Sequence, residues 1–241
     1  ADGWVRYRIG DRDFSAGVSV SAGDTQYTNY FRRLGARYLE LFAESDLEIE
    51  YLSLLPCPYP LQKAQVSFGD VQTDRIYDVA VRTLELCMHD HYEDCPWREQ
   101  AMYAMDSRNQ MLCGYYAFRE FAFPRACLWL MGQDRREDGL LSICTPENLG
   151  KAIPSFSLHY ILALYEYATH SGDLSLVREV LPRAEKILAA YLCRMKDGLV
   201  PTFTGANYWN FYEWRDELDG KGSGEHFDAV LNCLLSVALD R

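Results

Sequence analysis

Glu99 and Asp106 are the residues with which chemistry could begin. In the stretch Glu93-Asp94-Cys95-Pro96-Trp97-Arg98-Glu99-Gln100-Ala101-Met102-Tyr103-Ala104-Met105-Asp106 these two carboxylates stand seven residues apart. Pro96 suits the first turn of a helix, where its missing N–H would be unpaired anyway. A helix starting there would put Glu99 and Asp106 on one face, about 10 Å apart along the axis. Tyr103 would share that face, with Asp94, Trp97 and Arg98 crowding its start. Carboxylates, a guanidinium and aromatic rings are what a polar, hydroxylated ligand needs. The same residues also describe a plain helix, with Asp94 as cap and both charges in water, which is where helical carboxylates usually lie.

The elements that would position this stretch fall into two parts. Residues 1 to about 72 read as strands, with period-two alternation in Trp4-Val5-Arg6-Tyr7-Arg8-Ile9, Val18-Ser19-Val20-Ser21, Arg37-Tyr38-Leu39-Glu40-Leu41-Phe42 and Leu47-Glu48-Ile49-Glu50-Tyr51-Leu52. They suit the later strands of an antiparallel sandwich. From residue 73 to 241 the period is helical. Thr73-Asp74 caps a helix to about His89, with Ile76, Val79, Ala80, Thr83, Leu84 and Cys87 as its apolar face. The stretch with Glu99 runs on to Phe118 or Phe121, and Pro124 opens the next helix. Ser155 to His170 and Leu174 to Met195 follow, the latter with Leu176, Val180, Ala184, Ile187 and Leu188 at core spacing. A last helix spans about Glu225 to Leu239, after an aromatic loop holding Phe203, Tyr208, Trp209, Phe211, Tyr212 and Trp214. Antiparallel helix pairs with short turns fit a toroid, a bundle or a solenoid alike.

Composition narrows the function classes. The 241 residues carry a net charge of −11, and the basic pairs Arg32-Arg33 and Arg135-Arg136 are isolated, which argues against nucleic acid and anionic membranes as partners. No apolar run reaches the ~20 residues of a membrane span. The eight cysteines show no paired metal spacing, so no metal cofactor is expected, and a reducing, cytoplasmic setting fits them. Ala1-Asp2-Gly3-Trp4 is neither a signal peptide nor a natural start, so the chain reads as part of a longer parent, whose export stays open.

Asp94-Cys95-Pro96, Arg98-Glu99 and the Asp106 beyond them resemble the signature of the bacterial α-L-rhamnosidases. The likeness extends through Phe31-Arg32-Arg33-Leu34-Gly35-Ala36-Arg37-Tyr38, Asp138-Gly139-Leu140-Leu141, Ile153-Pro154-Ser155-Phe156-Ser157-Leu158, Thr169-His170-Ser171-Gly172-Asp173-Leu174 and the loop from Trp209 to Trp214. The resemblance implies a mainly α fold: helical hairpins forming part of an (α/α)6 barrel, preceded by strands of a β-sandwich domain. It implies an inverting glycoside hydrolase with a rhamnoside-type carbohydrate substrate. Glu99 would be the general acid, with Asp94, Arg98 and Asp106 on the sugar hydroxyls and Tyr103, Trp209, Trp214 and His159 lining the pocket. Packing between hairpins is the other reading of the tryptophans, an ion pair with Glu93, Asp94 or Glu99 that of Arg98, and a satisfied buried imidazole that of His159.

Two departures stand out. Relatives often carry Gly-Trp-Thr-Gly where this chain has Met102-Tyr103-Ala104-Met105, and an aromatic pair where it has His159-Tyr160. The family's general base is a glutamate on the later half of the barrel, while about half of the helices can be counted here. Inversion needs that second carboxylate about 6.5–9.5 Å from the acid; Glu213 and Glu225 are the local candidates. The chain therefore reads as a fragment lacking its base, whose exposed half-barrel face favours a homo-oligomer. A six-hairpin glycosidase for another sugar and a non-catalytic carbohydrate-binding protein remain the alternatives.

Overall fold

In a computed structural model, residues 5–147, 149–220 and 224–241 are described. Their elements are β1 (Arg8–Ile9), β2 (Arg12–Asp13), α1 (Val71–Glu85), α2 (Ala104–Ala117), α3 (Ala122–Gly132), α4 (Pro154–Ser171), α5 (Ser175–Leu192) and α6 (Ala229–Asp240). The mainly helical fold expected from the sequence is the fold observed.

Helix α4 is the hub, because it is apolar nearly all round. Phe156, Leu158, Tyr160, Ile161, Leu162, Ala163, Leu164 and Tyr167 are all buried, and a helix without a polar face needs neighbours on every side. It packs on α2 and α6 at its flanks and on α3 and α5 behind. Tyr103 meets Phe156 at one end of the α2–α4 pair and Tyr115 stacks on His170 at the other, so these helices run parallel. Phe121 meets Tyr167 while Tyr160 Oη donates to Leu128 O, so α3 runs against α4. Helices α2, α4 and α6 thus form an inner row and α1, α3 and α5 an outer one. The inner row has its N-termini at one end. There the links are long (86–103, 133–153, 193–228); at the other end 118–121 and 172–174 suffice.

Local chemistry sets the boundaries. Asp70 caps α1 by accepting from Thr73 N, Asp228 caps α6 by accepting from Val230 N, and Gly172 ends α4 in the left-handed region at φ 73°. At the junction of α3, α4 and α5, a Cβ on Gly132 would lie 2.8 Å from Tyr160 Oη and 2.9 Å from Val180 Cγ1. Only glycine lets these three helices meet so closely. Three hydrogen bonds tie buried polar groups in the same region: Leu141 N donates to Ser157 Oγ (2.9 Å), Arg183 Nη2 to Leu140 O (2.7 Å), and Tyr191 Oη to Pro154 O (2.5 Å).

Three expectations need correction. The period-two runs at 18–21, 37–42 and 47–52 form no strands among the described residues; the hairpin β1–β2, around Gly10-Asp11, is the sheet observed there. A strand exists by its ladder, and among the described residues the only paired strands are β1 and β2. Trp4, which opened the first expected strand, and Asn148 lie outside the described residues. In α1 the cap is Asp70, not Thr73 or Asp74; Leu84 is buried as expected, and so is Cys87 beyond the helix end, but Val81 joins them while Ile76 and Val79 face outward at 63% and 58% exposure. Finally, α2 does not begin at Pro96 but at Ala104.

Candidate active site

The late start of α2 follows from how residues 93–103 fold back. Asp94 N donates to Ala101 O and Ala101 N donates to Asp94 Oδ1, both at 3.0 Å, which closes a loop. Gln100 within it has φ 55°, a left-handed conformation that no helix passes through. Glu99 N is directed at Cys95 Sγ (3.4 Å). Glu99 and Asp106 are therefore not two positions of one helix: Glu99 sits in the loop, and Asp106 in the first turn of α2.

The fold nevertheless gathers the acidic residues. Tyr103 Oη donates to Glu99 Oε2 at 2.9 Å. On the other oxygen, Arg12 Nη2 stands at 3.8 Å and Arg98 Nε at 4.0 Å. Burial pushes the Asp106 carboxyl up to about 6, against a backbone hydrogen bond that pulls it down, and the charges of Asp94 and Glu99 add to the rise. The three carboxylates thus lie in one electrostatic field at the N-terminal end of the inner row. Burial, then the bond to Glu99, raises the Tyr103 hydroxyl above its ordinary value. A cleft of about 300 Å³ runs between residues 99–102 and residues 144–147, with His91 at its edge. Thr145 N donates to Met102 O (3.3 Å) and joins its two walls. Beside Glu147, which accepts from its Sγ at 3.0 Å, the Cys144 thiol is pushed up to about 12, by burial first.

An aromatic relay links this cleft to the 203–214 loop. Tyr103 touches Phe156 (6.2 Å between centroids), Phe156 touches Phe211 (6.3 Å), and Phe211 touches Trp209 (4.8 Å) and Trp214 (4.9 Å). Trp209 is fixed through its backbone, whose N–H donates to Ala152 O, and its indole, which donates to Asp219 O at 2.5 Å. Trp214 is 73% exposed. The loop is latched from below by Asp138, which accepts from Arg136 Nε (3.1 Å), Leu140 N (3.1 Å) and Tyr208 Oη (3.0 Å). Burial alone would raise the Asp138 carboxyl; these hydrogen bonds outweigh it and hold it below its ordinary value.

His159 lies one turn below Phe156 on α4 and accepts from Arg108 Nη1 at Nδ1 (3.0 Å). Arg108 is held by Glu166 through two further bonds of 2.8 and 2.5 Å. Burial, then Arg108, pushes the imidazole down to about 4, so it is neutral near pH 7. This is the satisfied-imidazole arrangement, reached through a partner on α2. Arg98 pairs weakly with Glu99, whereas Glu93 is taken by Arg33. Of the local carboxylates considered as a base, Glu213 accepts from Trp214 N (2.6 Å) and Glu225 from Lys196 Nζ (2.6 Å).

Sequence reasoning missed Arg12, Arg33, Arg108 and the Asp138–Tyr208 latch. Arg33 and Glu93 are 60 residues apart, and no local pattern announces such a pair. Among the described residues, no cluster of three or more His, Cys, Asp or Glu could hold a metal ion, and no helix is long and apolar enough to cross a membrane.

Paired rows of helices, with carboxylates clustered at the N-terminal end of the inner row, define the class of helical-hairpin domains. The signature of the bacterial alpha-L-rhamnosidase 6 hairpin glycosidase domain matches residues 62–241. The chain belongs to that family. Among solved structures it is similar to a GH78 family rhamnosidase of Bacillus sp. GL1, at 29% identity and a TM-score of 0.67 over 76% of this chain and 19% of that one. It is also similar to a rhamnosidase from Klebsiella oxytoca with rhamnose bound, at 27% identity and a TM-score of 0.63, over 74% and 34% of the two chains. The chain thus spans about a third or less of these relatives. No curated protein matches it.

Proposed function

We propose that this chain forms one wall of the active site of an inverting α-L-rhamnosidase, with residues 73–241 as the first half of the six-hairpin catalytic domain and residues 1–72 as the end of a β-sandwich domain. The start of α1 at Val71 supports that boundary on the helical side. The observation that carries the reading is Glu99 at the cleft, hydrogen-bonded by Tyr103 and sharing its field with Asp94 and Asp106.

In this reading the protonated Glu99 carboxyl donates its proton to the glycosidic oxygen as the bond to the sugar's anomeric carbon breaks. Water attacks that carbon from the opposite face and yields its proton to a second carboxylate. Asp106, Arg98 and Asp94 hold the sugar hydroxyls, and Trp209 and Trp214 form an apolar edge reached through Phe156 and Phe211. Glu213 and Glu225 are committed to other partners, so neither is assigned as the base, and the chain by itself is expected to be inactive. His159 and Tyr103 replace aromatic positions of the family, which makes the sugar the open variable.

The test is hydrolysis of a chromogenic α-L-rhamnoside by the longer parent protein that contains this chain. Glu99→Gln should lower the rate by about 10²–10⁴-fold. An unchanged rate removes Glu99 from the chemistry. A parent that cleaves other glycosides but not rhamnosides shifts the reading to a different sugar, and one that binds rhamnose without turnover makes it a binding protein.

A further inference from the structure

Glu93, the residue just before Asp94, has a side chain with no exposed surface. A buried carboxylate must be paired, and its partner comes from far away in sequence: Arg33 Nη2 donates to Glu93 Oε1. His89 Nδ1 lies 3.2 Å from the other oxygen. Burial pushes that imidazole below its ordinary value, against the pull of Glu93, so Arg33 supplies the full positive charge at neutral pH. The Glu93 backbone is tied on both sides: its N–H donates to Cys87 O (2.9 Å), after α1, and its carbonyl accepts from Gln110 Nε2 (2.6 Å), on α2.

Three more contacts from the same N-terminal region fall on the residues that follow. A Cβ on Gly35 would lie 2.5 Å from Pro96 O and 2.8 Å from Trp97 Cβ, so the two backbones touch. Phe14 packs on Trp97, with ring centroids 4.7 Å apart. Arg12 reaches Glu99 at 3.8 Å. All four contributors lie before residue 62, where the family match begins. We propose that residues 12–35 clamp the 93–99 turn from outside the glycosidase domain, and that Arg33 is the positioning residue of this clamp, acting on Glu99 through Glu93.

The clamp is independent of which sugar is bound, and its test reads structure and not turnover. Hydrogen–deuterium exchange is followed by mass spectrometry on the whole chain, for wild type, Arg33→Ala, Arg33→Lys and Gly35→Ala. Arg33→Ala should speed exchange in peptides covering residues 94–101 by about tenfold or more, leaving peptides of α3, α4 and α5 unchanged, as expected for a local opening. Arg33→Lys, which keeps the charge, should restore most of the protection. Gly35→Ala should loosen the same peptides with Arg33 intact, because its new methyl group displaces the Pro96 backbone. Unchanged exchange at 94–101 in either alanine variant overturns the proposal. So does a uniform rise over the whole chain in Arg33→Ala, which would make Arg33 a general stabilising residue and no clamp.

Discussion

Asp106→Asn should make the protein more stable and, on the function proposed above, weaken its binding of sugar. The Asp106 carboxyl titrates at about 6 in the fold against an ordinary 3.8, with burial as the chief cause. Because the folded value is the higher one, the folded state binds more protons between these limits, and stability falls as pH rises through them. At about 1.4 kcal/mol per pH unit, ionised Asp106 costs the fold about 3 kcal/mol near pH 7 and about 1 kcal/mol near pH 4.5. An amide at this position keeps the shape and has no charge to bury. In urea denaturation the Asp106→Asn variant should therefore gain up to about 3 kcal/mol near pH 7, and the gain should shrink by about 2 kcal/mol near pH 4.5. On the function proposed above, loss of the carboxylate should at the same time raise the KM for rhamnoside. A variant no more stable than wild type near pH 7, or one whose gain is the same at both pH values, would show that burial of this charge is not what the site works against.

Two further outcomes follow from the packing and the latch. Gly132→Val should destabilise by about 3 kcal/mol in chemical denaturation, the upper range for overpacking, since its Cβ would meet Tyr160 and Val180 below 3.0 Å; adding Val180→Ala should return part of it. Asp138→Ala leaves Arg136, Leu140 N and Tyr208 without their acceptor and should cost about 2–4 kcal/mol, seen as lost near-ultraviolet dichroism of the tryptophans with far-ultraviolet dichroism kept. Since Asp138 is held below its ordinary value, this contribution should be full above the ordinary carboxylate range and fade only as pH falls through the lower, folded value.

The helices were legible wherever the local code and the tertiary demand agree. In α4 the apolar run is bounded by Pro154 and Gly172, and the observed helix follows those signals closely, whereas α5 stops at Leu192, several residues short of Gly198. In α1 the apolar residues offered more than one face, and the position of α2 selected Val81 and Leu84 over Ile76 and Val79. At Pro96 the local signal lost: the Asp94–Ala101 pair and the left-handed Gln100 turned an expected helical start into a loop. The candidate site was legible as a stretch, since Asp94, Arg98, Glu99, Tyr103 and Asp106 are close in sequence. The groups that hold the stretch in place were not, because Arg33 to Glu93 and Asp138 to Tyr208 are long-range pairings between ordinary polar residues.

The unequal lengths of the links at the two ends of the helical rows bear on how such a domain changes over time. The short turns at 118–121 and 172–174 are bounded by packed helix ends and leave little room for insertion or deletion. The long links at 86–103, 133–153 and 193–228 all emerge at the opposite end, where the cleft is. Sequence drift, insertion and recombination can therefore act on the rim around the cleft while the hairpin scaffold is kept by its own packing. A chain built this way can change the lining of its cleft one loop at a time without refolding its core.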